Sequence, residues 1–332
     1  MRFIKYPKLT GSHRKEDVER IEKYFSETGL DDDWVALEKI HGANFAIYFD
    51  LSVGMPSMRV ASRNQFVDDN FYSSGQLISN LVESSVFDRL LYRLTRNSIK
   101  GDWIVLYGEL FGQGINKGVV YPAGRHFIPF DLRYLHADES REFFSHEAFN
   151  QHMEGLFTTP TVYGEGTLRE CLQIDPDTLQ SQAGVSVSKT FVNPPDNHPE
   201  GIVIRPRKIC YMDGDFVAIK HKLPKFREVK RNRTRSKGKQ TWTLEQYQDP
   251  NIMDYVTEAR LDNVRSHLGD QKSVHFGRMA NAFAIDVMRE YAIENPDKAD
   301  WKDDIKLEKQ VRKQVALTTD LLQLVRKLYG VC

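Results

Sequence analysis

Six charged residues stand at the ends of separate apolar, strand-like segments: Lys39, Arg63, Glu109, Glu200, Lys220 and Lys222. A lysine amine becomes a nucleophile when burial or nearby cations lower its pKa from the usual value of about 10.4. Paired carboxylates can hold Mg²⁺, and lysine or arginine side chains can bind phosphate. Together these residue types suit nucleotidyl transfer, in which catalysis depends on positioning and on neutralising charge at phosphorus. Taken singly, each is more typical of a solvated strand end.

Lys39 belongs to the segment Glu38-Lys39-Ile40-His41-Gly42. Apolar residues alternate on both sides of this segment, at Val35, Leu37, Phe45, Ile47 and Phe49. A period of two predicts β-strands, so we expect Lys39 in a tight connection between two strands. Gly42 would let the backbone pass close to a ligand. Lys-x-x-Gly alone also fits a solvated turn, so its interpretation depends on the rest of the chain.

Other apolar segments predict the elements that position the remaining charged residues. Strands are expected at 58–63, 103–110, 127–132, 200–206 and 216–222, and helices at about 14–26 and 76–94. Because a sheet gathers strand ends at one rim, residues far apart in sequence can converge there. The glycine-rich segment 112–118 matches neither common phosphate-loop pattern and precedes no clear helix, so an ordinary loop is favoured over a phosphate cradle.

The character of the chain changes after the strand at 216–222. Residues 222–239 are rich in lysine and arginine and hold one acid, Glu228. Such a run fits either a solvated linker or a phosphate-binding segment. Beyond about residue 240, apolar residues recur at helical spacing in three stretches, the last running from Val311 to Tyr329. We therefore expect a strand-rich domain at 1–240 and a helical domain at 241–332.

Composition narrows the class of protein. The chain has 332 residues, no formal net charge and three scattered cysteines. A nucleic-acid binder with this charge must use local basic patches. The cysteines form no CxxC pair, so neither a disulfide framework nor a zinc site is indicated. No apolar run approaches the roughly 18–20 residues of a membrane span, and no signal peptide is evident. We therefore expect a cytoplasmic protein without a membrane partner. We also expect a monomer.

Five segments, in this order and spacing, resemble the signature motifs of the covalent nucleotidyltransferases, the superfamily of ATP-dependent DNA ligases, RNA ligases and mRNA capping enzymes. They are Lys39–Gly42, Leu106–Leu110, Phe127–Asp131, Glu200–Pro206 and Val217–Lys222. Within that superfamily the chain most resembles the T4 RNA ligase 2 family, which includes the trypanosome RNA-editing ligases. DNA ligases and capping enzymes normally follow the fifth motif with a β-barrel OB domain, whereas helices follow it here.

The resemblance implies an α+β fold, with a nucleotidyltransferase (adenylyltransferase) domain of two antiparallel sheets and flanking helices, and a small all-α C-terminal domain that engages RNA. It also implies ATP as the nucleotide and Mg²⁺, or Mn²⁺, as the metal. The implied activity is an RNA ligase that seals 3′-OH/5′-phosphate nicks in duplex RNA or an RNA–DNA hybrid. The reaction would pass through lysyl-AMP and 5′-adenylylated RNA.

The resemblance further implies roles for individual residues. Lys39 would attack the α-phosphorus with help from His41, while Lys220 and Lys222 would bind the α-phosphate. The implied nucleotide contacts are Glu38, Lys39, Ile40, Glu109 at the ribose, Phe130 stacked on adenine, Glu200, Lys220 and Lys222. Glu200 and Glu109 would hold the metal, and the implied RNA contacts are Asn44, Arg63 and Arg205. Arg205 replaces a lysine of the family pattern, Pro129 interrupts the aromatic motif, and Asp131 is expected to support the site.

Two other interpretations remain open at this point. One is a DNA ligase or capping guanylyltransferase of the same superfamily, which nucleotide preference and the missing OB pattern would distinguish. The other is a catalytically inactive RNA-binding relative, against which the complete set of charged residues argues. The resemblance alone suggests a phage or other viral source, in which case the host cytoplasm would be the location.

Overall fold

The computed structural model describes residues 3–30, 33–51, 57–96, 102–135, 141–208, 211–212, 214–226, 250–268 and 274–330. The chain divides into two compact units, Met1–Leu223 and Pro224–Cys332. The expected boundary at residue 240, and residues 227–239 of the basic segment, lie outside the described residues. Within the described part of the chain, no helix has the length and apolar character needed to span a membrane.

The first unit contains strands that alternate with short helices. Its strands are β1 Thr10–Gly11, β2 Trp34–Lys39, β3 Ala43–Asp50, β4 Ser57–Ser62, β5 Phe66–Val67, β6 Trp103–Phe111, β7 His126–Leu135, β8 Arg141–Phe143, β9 Val162–Gly166, β10 Gly201–Pro206, β11 Tyr211–Met212, β12 Asp215–Phe216 and β13 Ile219–Lys222. Its helices are α1 Lys15–Glu27, α2 Gly75–Glu83, α3 Val86–Arg96, α4 His146–Met153, α5 Leu168–Gln173 and α6 Ala183–Val187. The helices of the second unit are α7 Glu258–Leu268, α8 Phe276–Glu294, α9 Ile305–Ala316 and α10 Thr319–Tyr329.

Two larger sheets form the frame of the first unit. The first sheet has the order β1-β13-β10-β2-β9, and the second has the order β5-β4-β3-β6-β7-β8. All pairs in these sheets are antiparallel except β1 with β13, which is parallel. The strands β11 and β12 form a separate antiparallel pair. The expected α+β fold with two antiparallel sheets is confirmed, with the short β1 pairing as the exception.

Side chains alternate along each strand, so one face of each sheet is apolar and packs against helices. In the first sheet, Trp34 and Ile202 pack on the apolar face of α1 around Phe25. In the second sheet, Ile47 and Leu106 pack on α3 and α4. Each fully buried side chain of this kind contributes about 1.5–3 kcal/mol to stability. The opposite faces of the two sheets therefore hold Lys39 and Glu109.

The segment Ile40–Gly42 joins the two sheets. The sequence predicts a tight connection between two strands here, and the connection is short. The strands it joins do not pair, however, because β10 and β9 occupy both edges of β2, while β4 and β6 occupy both edges of β3. The nucleophile candidate Lys39, the last residue of β2, therefore stands where the chain passes from one sheet to the other.

Three predicted elements prove to be divided. The helix expected at 76–94 is two helices, α2 and α3, separated where Ser85 adopts a φ of 54°. The strand expected at 216–222 is β12 followed by β13. The last helical stretch is α9 and α10, and the side chain of Thr318 accepts a hydrogen bond from the backbone N–H of Leu321 at the start of α10. Apolar periodicity continues across each break, so periodicity alone does not reveal it.

The second unit is helical, as the sequence predicts. Helix α8 contacts α7, α9 and α10, and buries Met279, Phe283, Val287 and Tyr291. Arg260 of α7 is 1% exposed and its guanidinium lies 2.8 Å from the carboxylate of Asp286. A paired guanidinium is one of the few charged groups that a small core accommodates. These contacts give the unit a core of its own.

Candidate active site

Three strands of the first sheet bring two lysines into one row. Gly201 of β10 lies opposite Lys39 of β2 on one side and opposite Lys222 of β13 on the other. A Cβ at position 201 would lie 2.2 Å from the backbone oxygen of His221, so the strands can approach this closely only at a glycine. Glu200, immediately before β10, is thereby placed between the two lysines.

The carboxylate of Glu200 is the centre of the charged cluster. Lys39 Nζ lies 2.7 Å from Oε2 and Lys222 Nζ lies 2.8 Å from Oε1, while His41 Nδ1 lies 3.2 Å from Oε2. Burial alone would raise the pKa of Glu200, but Lys222, Lys39 and His41 outweigh it and hold this pKa well below the usual range. The Glu200 side chain is 7% exposed, against 19% for Lys39 and 13% for Lys222. Glu200 is therefore a buried carboxylate that pairs with two lysine ammonium groups, and both lysines remain partly exposed to solvent.

Glu109 lies on the second sheet, beside the connection between the sheets. Its Oε1 accepts a hydrogen bond of 3.0 Å from the backbone N–H of Gly42. Burial raises the pKa of Glu109 to about 7, with the charge of Lys39 acting against the rise and that of Glu200 adding to it. A Cβ on Gly42 would lie 2.3 Å from the backbone oxygen of Leu110. The sequence suggested that the backbone at Gly42 passes close to a ligand. In the structure it passes close to strand β6.

Two residues that the sequence did not single out hold the connection in place. The Asn116 side chain donates a hydrogen bond of 2.6 Å to the backbone oxygen of Gly42. The backbone N–H of His41 donates one of 2.9 Å to the hydroxyl of Tyr121. Asn116 belongs to the glycine-rich loop, whose role in the described structure is to support Ile40–Gly42. Its glycine content signalled a loop, but nothing in its pattern indicated these partners.

Glu38 and Lys39 face opposite sides of the first sheet because neighbouring residues of a strand alternate. The Glu38 carboxylate accepts hydrogen bonds from the Ser181 hydroxyl at 2.6 Å and from the backbone N–H of Gln182 at 3.0 Å. Burial raises the pKa of Glu38, and these hydrogen bonds oppose the rise. The carboxylate is thus committed to residues 181–183. A nucleotide contact by Glu38, or by the buried Ile40, stays a prediction.

Phe130 occupies a bulge in strand β7. Tyr107 of β6 pairs with Asp131 and Gly108 pairs with Pro129, so Phe130 has no partner across the ladder. A bulge re-aims the side chain of the extra residue. The ring of Phe130 stays half-buried and contacts the edge of Tyr6, with centroids 5.3 Å apart. Pro129 does not interrupt β7, because the paired segment of β8 reaches only Arg133–Leu135 and leaves this edge open.

Arg205, one of the predicted RNA contacts, pairs with a buried carboxylate. Its side chain is 3% exposed, and Nη1 lies 2.6 Å from Oδ1 of Asp131. The other oxygen of Asp131 accepts a 2.5 Å hydrogen bond from the Tyr6 hydroxyl. Position 205 faces the second sheet, where the guanidinium pairs with Asp131 instead of reaching the surface. A direct RNA contact by Arg205 stays a prediction, and the geometry agrees with a supporting role for Asp131.

The remaining predicted residues lie around the same charged cluster, in the region between the facing sides of the two sheets that we call the cleft. Asn44 lies opposite Glu109 in the β3–β6 ladder, and Arg63, just after β4, is near enough for its charge to lower the pKa of Glu109. Lys220 lies two residues before Lys222 on β13, so both side chains leave the same face of the sheet. Asn44, Arg63 and Lys220 are all half-buried. The structure thus brings the predicted residues to one region, where Arg205 is paired with Asp131, while the side chain of Glu38 lies on the other face of the first sheet.

The donor set fits one divalent cation of the magnesium type. Among the described residues, no group of three or more His, Cys, Asp or Glu side chains forms a complete metal site. Glu109 and Glu200 do lie close enough for the charge of Glu200 to raise the pKa of Glu109. A cation between them would relieve this repulsion, and Mg²⁺ commonly uses one or two carboxylates together with water and substrate phosphates.

Comparisons with known proteins identify the family. The sequence model described as RNA ligase matches residues 32–222, and the one described as T4 RNA ligase 2 C-terminal matches residues 250–318. The chain belongs to the RNA ligase family, and its second unit carries the C-terminal region of the T4 RNA ligase 2 group. The family implied by the five motifs is thereby confirmed.

Individual relatives are more distant. The mitochondrial RNA-editing ligase 1 of Trypanosoma brucei brucei is 27% identical over an alignment of 210 residues, and the match covers 52% of this chain and 44% of that protein. The chain therefore matches less than half the length of this curated relative. A solved structure of a Naegleria gruberi RNA ligase mutant with ATP and Mn is 15% identical, with a TM-score of 0.46, and the match covers 68% of this chain and 58% of that chain.

Proposed function

We propose that this protein is an ATP-dependent RNA ligase that seals 3′-OH/5′-phosphate nicks in duplex RNA or in an RNA–DNA hybrid. The observation that carries the proposal is the placement of Lys39 beside Glu200, Lys222, His41 and Glu109, in the region that matches the RNA ligase family. This arrangement supplies a nucleophile, two carboxylates and cations for phosphate within one cleft.

The first step would transfer AMP to the protein. The Nζ atom of Lys39 attacks the α-phosphorus of ATP, the bond from that phosphorus to the bridging oxygen breaks, and pyrophosphate leaves with its electron pair. The nucleophile is the neutral amine, so the ion pair with Glu200 must open and Lys39 must lose a proton. Lys222 and Lys220 then face the α-phosphate, where their charge opposes the negative charge that develops on its oxygens.

Two further steps would seal the strand. An oxygen of the RNA 5′-phosphate attacks the AMP phosphorus and the P–N bond to Lys39 breaks, which returns the lysine. The 3′-hydroxyl of the other end then attacks the activated 5′-phosphate, and AMP leaves as the phosphodiester forms. His41, whose Nδ1 lies 3.2 Å from Glu200, would take part in proton transfer near Lys39.

Glu109 and Glu200 would hold a divalent cation, Mg²⁺ or Mn²⁺. When bound, the cation supplies positive charge next to the phosphate oxygens. For the nucleotide itself, the geometry supports Glu109 at the ribose and Phe130, re-aimed by its bulge, at the adenine face. The match to an RNA ligase that has a structure with ATP and Mn agrees with this choice of nucleotide and metal.

Labelling tests the proposal directly. The purified protein is incubated with Mg²⁺ and ATP labelled at the α-phosphate, and protein-bound label is measured after denaturation. We expect stable label on the wild type and on Lys23→Ala, a control at an exposed lysine of α1, but not on Lys39→Ala. Absence of label, label that persists on Lys39→Ala, or labelling by GTP in preference to ATP would each contradict the proposal.

Substrate preference needs a second measurement. Sealing is compared on nicked duplexes that differ only in whether the 3′-OH strand ends in ribose or deoxyribose. We expect the ribose end to be sealed faster, since the family is one of RNA ligases. Equal rates would remove the RNA-specific part of the proposal and leave the adenylylation step intact.

A further inference from the structure

A second concave site lies between helices α3 and α4 of the first unit. Its volume is about 640 Å³, which is within the range of roughly 300–1,000 Å³ typical of ligand pockets. Arg89, Tyr92, Arg93 and Arg96 line it from α3, and His152 lines it from α4. No residue of the cleft around Glu200 is among those that line it.

This pocket lies behind the second sheet with respect to Glu109. The inward face of α3 packs on the same side of the sheet as Leu106 of β6. Glu109 alternates with Leu106 along β6 and shares the opposite face with Tyr107. The α3–α4 pocket, defined by the residues above, is therefore a separate site within the same unit.

Three guanidinium groups give the pocket a positive charge. Arg89, Arg93 and Arg96 follow one another at spacings of four and three residues, so they lie on one face of α3. Within the described part of the chain, none of the three forms an ion pair with a carboxylate, and Asp88 is the single acid in the lining. Because the whole chain has no net charge, this surface is a local concentration of positive charge.

The structure fixes one of these arginines and exposes an aromatic ring beside the others. Arg93 Nη1 donates to the backbone oxygens of His152 at 3.1 Å and Glu154 at 2.7 Å, which ties α3 to the end of α4. Tyr92 is 62% exposed, and the guanidinium carbon of Arg96 lies 5.9 Å from its ring centroid. Exposed aromatic rings next to arginines provide both stacking surfaces for bases and charge for phosphates.

We propose that the α3–α4 pocket binds a single-stranded flank of the RNA substrate, with an unpaired base stacked on Tyr92 and the adjoining phosphates paired with Arg89 and Arg96. A duplex has no free base face to offer to Tyr92, so the ligand is single-stranded. An acidic peptide would satisfy the arginines but would leave the ring without a flat partner. The proposal rests on the proposed RNA ligase function, because it assigns part of that enzyme's substrate to a second site.

Binding by the full-length protein tests the proposal. Fluorescence anisotropy is measured with a labelled single-stranded RNA of about 12 nucleotides, close to the site sizes of known single-strand binders. Loss of a base–aromatic stack costs about 1–3 kcal/mol, which is roughly 5-fold to 150-fold in Kd. We expect a loss of this size for Tyr92→Ala, near wild-type binding for Tyr92→Phe, and a shallower salt dependence for the double variant Arg89→Ala/Arg96→Ala.

Controls separate this site from the catalytic one. Arg20→Ala, at an arginine of α1 whose side chain is 69% exposed, should bind the RNA like the wild type. All variants should keep wild-type formation of lysyl-AMP, which also shows that the unit is folded. In ligation, KM should rise for a nicked substrate with a single-stranded flank and stay unchanged for one without it.

The outcomes are distinct for the two proposals. Wild-type RNA affinity in both Tyr92→Ala and the double arginine variant would overturn the second site, as would competition by polyglutamate equal to that of RNA. If the wild type forms no lysyl-AMP, the proposed function fails, and the anisotropy measurement still decides whether the pocket binds RNA.

Discussion

Lys39 and Lys222 lie opposite the same glycine of β10, and each donates to a different oxygen of Glu200. The two lysines come from strands that are far apart in the sequence. The carboxylate of Glu200 lies between their ammonium groups and pairs with both. A reaction at Lys39 must therefore rearrange all three groups. This dependence gives the first two predictions.

Replacing Glu200 by Gln should weaken both the reaction and the fold. The amide keeps the size of the side chain but removes the charge that holds two ammonium groups. We expect lysyl-AMP formation to fall by about 100-fold or more, as for loss of a major electrostatic contact in an active site. Denaturant unfolding should show a loss of about 1–3 kcal/mol, since the lysines are partly solvated. Glu16→Gln, at an exposed position of α1, is the control that should change neither.

Replacing Lys222 by Ala should slow the formation of lysyl-AMP although Lys39 is untouched. The expected effect is about 10-fold to 100-fold, because the cation that we propose to face the α-phosphate is lost. Lys222→Arg should recover part of the rate, since it keeps the charge with a different shape. A Lys222→Ala rate equal to that of the wild type would show that Lys39 works independently of β13. Single-turnover labelling at saturating ATP measures this step alone.

Glu109 should give the stability of the protein a specific pH dependence. Its folded pKa of about 7 is above the ordinary value for a glutamate, so the unfolded chain ionises first as the pH rises. The folded state then binds more protons than the unfolded state, and the free energy of unfolding should fall between about pH 4.5 and pH 7 by at most roughly 3 kcal/mol. Glu200 acts in the opposite direction and below pH 4.5, because its pKa is lowered. Urea unfolding of the wild type and of Glu109→Gln, without divalent cations, isolates the contribution of Glu109: the fall should be smaller in the variant, and the remainder comes from Glu38 and Asp131, whose pKa values burial also raises.

Added Mg²⁺ should bind through the same two carboxylates. At pH 7.5, Mg²⁺ without nucleotide should raise the midpoint of thermal unfolding of the wild type, because a ligand that binds only the folded state stabilises it. Glu109→Gln should show a smaller rise. Removal of Mg²⁺ with excess EDTA should return both proteins to their starting midpoints. An equal Mg²⁺ response in wild type and variant would remove Glu109 from the proposed metal site.

Tyr121 should matter for the reaction through the backbone of His41. Tyr121→Phe keeps the ring against Phe111, whose centroid is 4.9 Å away, but removes the acceptor of the His41 N–H. An unpaired buried N–H costs about 1–3 kcal/mol, so both stability and lysyl-AMP formation should decline. Tyr24→Phe, on the half-buried face of α1, should leave the labelling rate unchanged. A Tyr121→Phe enzyme with normal stability and rate would show that the connection does not need this hydrogen bond.

The helical unit should be needed for RNA and not for the nucleotide. A chain that ends at residue 240 loses the region matched to the T4 RNA ligase 2 C-terminal family and keeps the complete first unit. Nick sealing should fall far more than lysyl-AMP formation, which also reports that the first unit is folded. Equal loss of both activities would contradict an RNA-engaging role for residues 241–332.

Much of the candidate site follows from the sequence because the strand-end residues are local features. The period of two around Lys39 and the apolar strands that carry Glu109 and Lys220 place these residues at sheet ends without any knowledge of pairing. The pairing of the strands then explains why position 201 is a glycine, since the space beside the backbone of His221 admits no side chain.

What the sequence could not supply is the tertiary partner of each polar residue. Arg205 and Glu38 have the residue types of a binding site, yet one is paired with Asp131 inside the cleft and the other with residues 181–183. Asn116 and Tyr121 form hydrogen bonds with the backbone of Ile40–Gly42. The pattern of side-chain types in the sequence does not indicate contacts with backbone atoms. The bulge at Phe130 is likewise a property of register between two strands.

The order of strands in the two sheets has a consequence for synthesis of the chain. The second sheet uses residues 43–143, so it can assemble while translation is still under way. The first sheet places β13 between β1 and β10, so β1 has no place to dock until residues 219–222 have left the ribosome. Domains fold as their segments emerge, and pairings between distant strands form late. A nascent chain therefore carries Lys39 without Lys222 until β13 is synthesised, and the charged cluster around Glu200 is completed only when this last strand of the unit arrives.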